Sequence, residues 1–476
     1  MLRRTFSLFV LSLFAATGFV APVSAEVKPG ALFTSGVVLQ REVEAPIWGT
    51  AAANEKVEVT FAGKTLTATP DDSGKWVVKL PPQKAGGPHK LTIGAAGSDA
   101  KIELADVYFG EVWIASGQSN MHWTFSHKIK DGEKTVSEAN DPLLRQFTVK
   151  KGGTKEPAAD VSGKWYGANR EGLLAETTNG ASAVGYFFGR ELRKTLDVPV
   201  GIINSSVGGT PIENWSPKGV LYNNMIHPLA PVAVRGAIWY QGESNLLAGA
   251  GMKYATQQKS MVEAWRKLFA NDDMAFYFVQ LAPYAYTARP NGKTPSYAMA
   301  EFWEAQNLAA KTTPHSGLVV INDLVDNVRD IHPQDKENVG KRLAALALAG
   351  DYGKKDVVTS GPTFTSAEPE GASLRVKFDN VHGGLVSRDG QALTHFLLAG
   401  EDQKFHPAVA TIDGDTVSVR SAKVTKPVAV RFAWDEVAQP NLSNKAGWPA
   451  GSFRSDDWKL IDERPAQSAA PAPEKK

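Results

Sequence analysis

The sequence predicts an α/β protein, a doubly wound and mainly parallel sheet with N- and C-terminal β-sandwich-like modules, and three observations carry that expectation. From Glu26 to Asp106 the chain runs in short alternating stretches such as Val57-Glu58-Val59-Thr60-Phe61 and Trp76-Val77-Val78-Lys79-Leu80, separated by turn residues, as small antiparallel sheets require. From residue 107 to 360, wholly apolar runs suited to buried parallel strands alternate with segments of helical period. After Gly361-Pro362 the alternating strand pattern returns.

In chain order, residues 1–25 read as an export signal: Arg3 and Arg4, an apolar run from Phe6 to Val20, then Val23-Ser24-Ala25 as a cleavage site. That run is shorter than the ~20 residues a spanning helix needs, so the expectation is a secreted or periplasmic protein, with no membrane association once the signal is cleaved. Residues 26–106 form the N-terminal β module and 107–360 the α/β domain. The domain's strands are expected at Val112–Ala115, Val200–Ile203, Gly236–Trp239, Phe276–Val279 and Leu318–Ile321, with helices at 254–269 and 338–349 and another near Tyr186. Residues 361–460 form the C-terminal β module, and 461–476, rich in Ala, Pro and charge, an unstructured tail.

Composition narrows the function. The 476 residues are 43% hydrophobic and 21% charged, an ordinary globular balance. Lys plus Arg number 52 against 50 Asp plus Glu, and loss of Arg3 and Arg4 with the leader leaves formal neutrality. A dedicated nucleic-acid binder would be basic. With no cysteine there is neither a disulfide framework nor a thiolate metal site.

In a doubly wound sheet the chemistry lies at the carboxyl ends of the strands. Four blocks fall there. Gly117-Gln118-Ser119-Asn120-Met121 places a serine just past a buried strand, either as an exposed nucleophile or as a helix cap. Asn204-Ser205-Ser206-Val207-Gly208-Gly209-Thr210 offers backbone N–H groups to an oxyanion, or is a plain turn. Trp239-Tyr240-Gln241-Gly242-Glu243-Ser244-Asn245 brings carboxamides to the same edge, as oxyanion donors or as a buried amide network. Asp330-Ile331-His332-Pro333 supplies an imidazole able to act as general base near neutral pH. His122 and His127, close behind the serine, are candidates for substrate contact. Trp123 and Trp215 are the tryptophans whose faces would suit a sugar ring, with core packing as the competing use.

These four blocks, in this order, resemble the sialate O-acetylesterase family of SGNH hydrolases. The likeness extends to Pro211–Trp215, Arg235–Ile238, Gln280-Leu281-Ala282, Asn441–Lys445 and Ser452-Phe453-Arg454, and so covers about residues 30 to 460. It implies an SGNH-type fold and cofactor-free hydrolysis of O-acetyl esters on mono-, oligo- or polysaccharides. By that resemblance Ser119 is the nucleophile and His332 its base. The Ser119 and Gly209 N–H groups with the Gln241 or Asn245 amide hold the oxyanion, and Glu243 orients Gln118 and Asn120. SGNH hydrolases place Asp three residues before the His, where this chain has Arg329. Either the Asp330 carboxylate orients the imidazole, or its backbone carbonyl does; Asp323 and Asp326 are further options. Two rivals are a short-chain lipase or thioesterase of the same fold and a non-catalytic glycan binder. The polar stretch Ser126 to Asp131 favours short acyl groups over long ones. The sugar is either an acetylated sialic acid, with Lys128, Arg170 or Arg329 as carboxylate partner, or a hemicellulose such as xylan or xyloglucan. Formal neutrality leans towards the neutral glycan.

Overall fold

A computed structural model describes residues 26–175, 180–289 and 293–462. The expected export signal, and all of the expected tail beyond residue 462, lie outside the described residues.

The centre of the molecule is a mixed sheet. Its strands are β1 (Lys101–Gly117), β2 (Asn140–Val149), β3 (Gly163–Asn169), β4 (Val200–Ser206), β5 (Gly236–Tyr240), β6 (Ala275–Val279) and β7 (Ser316–Val319). They lie in the order β3-β2-β4-β1-β5-β6-β7, every pairing parallel except β2 with β3. The strands β4, β5 and β6 are buried at every position, the pattern of a sheet covered on both faces. Between them run α1 (Ser119–His122), α2 (Ala183–Leu196), α3 (Glu243–Leu247), α4 (Lys253–Leu268), α5 (Ala298–Thr312) and α6 (Lys336–Gly350). Ser182 caps α2 by accepting from the Gly185 N–H, and Asp335 caps α6 by accepting from that of Asn338.

The two flanking regions attach differently. N-terminal strands 57–61 and 75–80 alternate buried and more exposed positions, as the sequence pattern implied. However, β1 is a single 17-residue strand that crosses the expected boundary at residue 106. Its first half pairs with strand 86–95 and with Val38–Gln40, its second half with β4 and β5, so the N-terminal sheet and the central sheet are one hydrogen-bonded ladder. The hydrophobic core is continuous across it, from Val27 to Leu348. The C-terminal strands instead enclose a separate core built on Leu374, Val376, Val417, Val419, Val430 and Phe432. That core is clamped from outside. Arg454 pairs with Glu304 of α5, and the Gln439 amide donates to the Val325 carbonyl at 2.5 Å.

Candidate active site

The strands β1, β4 and β5 end side by side, and the backbone there is forced by contact. Gly117, the last residue of β1, has φ 131°, and a Cβ on it would lie 2.2 Å from the Tyr240 carbonyl oxygen at the end of β5. Only glycine permits that approach. The Gln118 N–H then donates to the same carbonyl at 2.9 Å, and Ser119 opens α1 with its own N–H lacking an intrahelical partner. The Gly208-Gly209 turn after β4 rests against Ser119: a Cβ on Gly208 would sit 3.4 Å from the Ser119 Cβ. Gly209 has φ 72°, a left-handed conformation suited to glycine, and its Cα faces open space.

His332 arrives from the loop between β7 and α6, more than two hundred residues later in the chain. Its Nε2 lies 2.9 Å from Ser119 Oγ, and its ring stacks on Trp123 with centroids 4.6 Å apart. Burial, and secondarily the nearby Lys336, push the imidazole's pKa below its ordinary value, against the opposing pull of Asp330. That shift favours the neutral imidazole, the form able to accept a proton.

Asp330 is half exposed. One carboxylate oxygen accepts from the His332 backbone N–H at 2.9 Å and stands 3.7 Å from Nδ1, beyond hydrogen-bond reach. Asp323 is committed elsewhere, holding Arg342 by bonds of 2.7 and 2.6 Å.

Beneath this pair the carboxamides form a sealed floor, and several expected roles are corrected here. Gln241 is fully buried. Its Nε2 has two hydrogens and already faces three acceptors, the Asn245 Oδ1 at 2.8 Å, the Gln118 Oε1 at 3.1 Å and the Thr210 carbonyl at 3.2 Å. Tyr254 donates to its Oε1 at 2.8 Å. No hydrogen of this amide is left for an oxyanion, so the network reading of the block holds for Gln241. Asn245 is likewise buried: its oxygen accepts from Gln241 and from the Ile212 N–H, and its Nδ2 donates to Glu213 at 2.9 Å.

Gln118 takes the N–H groups of Gly242 and Ser244 as well as the Gln241 amide, so Glu243 does not orient it. Glu243 does hold Asn120, whose Nδ2 donates to it at 2.6 Å. Trp215 is wholly buried, its Nε1 donating to Thr210 and its ring edge-on to Trp239, and is core rather than a sugar platform. The Trp123 ring is engaged by His332, by the stacked His127 and by the Lys336 ammonium 5.2 Å from its centroid. The ring is partly exposed and supports the imidazole by stacking. The buried His122 lies 2.8 Å from Lys151 Nζ.

One residue escaped sequence reasoning. Lys336, first in α6, is fully buried, and its Nζ donates to Asn120 Oδ1 at 2.6 Å. In the polar run Gln334-Asp335-Lys336-Glu337-Asn338 it reads as surface; the one available signal was its spacing four residues after His332. Among the described residues no three His, Cys, Asp or Glu side chains gather in a metal-holding group, and no helix is long and apolar enough to cross a membrane.

Comparison with known proteins bears on the chemistry. Residues 109–349 match the family model described as carbohydrate esterase, sialic acid-specific acetylesterase. Sialate O-acetylesterase of Pongo abelii is 31% identical, with 84% of this chain and 86% of that protein covered; the Rattus norvegicus enzyme is 29% identical over 84% and 88%. A crystal structure of a carbohydrate acetylesterase from Xanthomonas citri superposes with a TM-score of 0.83 at 39% identity, covering 91% of this chain and all of that one.

Proposed function

Since this chain belongs to the sialic acid-specific acetylesterase family of carbohydrate esterases and is a carboxylic ester hydrolase, we propose that it removes O-linked acetyl groups from sugars through an acetyl-enzyme formed on Ser119. The observation that carries this reading is the 2.9 Å contact between Ser119 Oγ and His332 Nε2 at the carboxyl ends of β1, β4 and β5. An alcohol is a weak nucleophile until a neighbouring base takes its proton. The lowered basicity of His332 keeps the imidazole free to do so at neutral pH.

The steps balance on these groups. Ser119 Oγ bonds to the acetyl carbonyl carbon as its proton passes to Nε2. The carbonyl oxygen becomes the oxyanion, held by the N–H groups of Ser119 and Gly209. The tetrahedral species collapses, the bond to the sugar oxygen breaks, and Nε2 returns the proton to that oxygen. Water then repeats the sequence on the acetyl-enzyme, releasing acetate. With Gln241 engaged inside the floor, backbone donors carry the oxyanion in this reading.

Asp330 supports the imidazole through the backbone of the His332 turn and through its negative charge. The fold in this reading is of SGNH type with sandwich-like flanking modules, the substrate an acetylated glycan, and residues 1–25 an export signal. The test is acetate release from acetylated sialosides and acetylated hemicellulose oligosaccharides by the wild type and by Ser119→Ala. Loss of at least about ten-thousandfold in kcat is expected. Equal turnover by the two proteins overturns the Ser119 mechanism, and glycan binding without turnover by either favours the non-catalytic reading.

A further inference from the structure

A lysine with no exposed surface costs free energy to fold around, because its ammonium loses water. Lys336 is such a residue, and it stands at the N-terminus of α6, where the helix dipole also disfavours a cation. What surrounds it is ordered around Asn120. The ammonium only donates, so it fixes the Asn120 oxygen toward itself at 2.6 Å. The Asn120 Nδ2 must then point the other way, where it donates to Glu243 at 2.6 Å and to the Ile331 carbonyl at 3.1 Å. Ile331 is the residue before His332, and Asn120 the residue after Ser119. One amide thus ties the turn that bears the base to the helix that bears the nucleophile. The same ammonium lies 5.2 Å from the centroid of Trp123, the ring on which the imidazole stacks, and 5.5 Å from that of Tyr240.

Resting on the Ser119–His332 reading, we propose that Lys336 is a positioning residue of the esterase. It locks the Asn120 amide in the orientation that joins the His332 turn to α1.

The electrostatics agree in sign. Burial, partly offset by Glu243, Asp330 and Asp335, brings the Lys336 pKa down to about 7, so the side chain carries its charge on the acid side of neutrality and loses it above. The groups facing His332 are Ser119 and Trp123 from α1 and its C-terminal end, His127 from the loop beyond, Asp330 from its own turn and Lys336 from α6. Of the charged groups, Lys336 and His127 lower its pKa and Asp330 raises it. Removing the ammonium must therefore raise the pKa of the base.

The experiment compares wild type, Ser119→Ala, Lys336→Met and Lys336→Gln in p-nitrophenyl acetate turnover, with kcat and KM followed from acid to neutral pH and with Tm recorded for each. For Lys336→Met the expected result is a kcat about a hundredfold lower, the loss that a small misplacement of a reacting group produces. KM should stay near wild type and the acid limb of kcat/KM should move to higher pH, while Tm should fall only modestly, because relief of the buried ammonium is offset by the partner that Asn120 and Glu243 lose. Lys336→Gln, which still offers a donor to Asn120, should recover part of kcat while keeping the displaced limb. A limb that stays in place, a wild-type kcat, or failure of both variants to fold would overturn the assignment. If Ser119→Ala is inactive while both lysine variants behave as wild type, this inference alone falls. If Ser119→Ala matches wild type, the nucleophile reading falls and takes this one with it.

Discussion

The rim of the site and its floor are built from the same sequence blocks but on opposite principles. Ser119 and His332 at the rim are partly exposed and share one hydrogen bond, whereas Gln118, Asn120, Gln241, Glu243 and Asn245 below are 3% exposed or less and are linked to one another by hydrogen bonds. Carboxamides at strand ends therefore act as joinery. A residue in direct contact with a reacting atom must keep a lone pair or a proton uncommitted, and Gln241 has turned its amide hydrogens to protein acceptors. What the floor supplies is the placement of two reacting groups drawn from distant parts of the chain, to within the ~0.5 Å such chemistry requires.

That contrast predicts graded losses. The largest is Ser119→Ala, with kcat down at least about ten-thousandfold at unchanged Tm, because a rim residue is removed and nothing below is disturbed. Next, Gln241→Leu takes one hydrogen-bond partner each from the Gln118, Thr210 and Asn245 oxygens and from the Tyr254 hydroxyl in the interior. It should cost roughly 3 kcal/mol or more of stability, read as a clear fall in Tm together with lower kcat. A hundredfold loss of kcat at wild-type Tm would instead make Gln241 an oxyanion donor and break the comparison.

Asp330→Asn comes third. Its carboxylate pulls the His332 pKa upward, so removing the charge should move the acid limb of kcat/KM to lower pH, opposite to the lysine variants. The fall in kcat should stay far below the ~ten-thousandfold of a buried orienting acid, because the carboxylate stands 3.7 Å from Nδ1 and half in solvent. A loss of that full size would show that it closes on the ring during turnover. Smallest is Arg454→Leu, which unpairs Glu304 on α5 and should lower stability by about 1 kcal/mol or less with kcat unchanged.

Much of this was legible in the sequence. The alternation of apolar runs with helical segments is a direct consequence of parallel strands buried on both faces, and it located β5 and β6 to within one residue and β4 to within three. The Ser119–His332 pair was legible from four blocks in the order of a known family; the serine alone had a helix cap as its competing explanation. Three things were not. Whether an amide has spare hydrogens depends on its neighbours, so Gln241 and Trp215 could be placed near the site but not oriented. The burial of Lys336 depends on how α6 seats against α1, and no local pattern distinguishes it from Lys341 one turn later. The length of β1 was hidden because a strand that leaves one sheet and enters another shows no break in alternation or hydrophobicity at the join.

That undivided strand makes the two ends of the chain unequal as engineering parts. The nucleophile's turn is mounted on a spine whose root is woven into the first hundred residues, so excising them would unravel the catalytic sheet at its centre. The carboxyl-terminal lobe has its own interior, but Trp434 and Trp448 pack on the main core and Glu436, Gln439 and Arg454 bond to it, so an exchange between related enzymes would have to carry those contacts along.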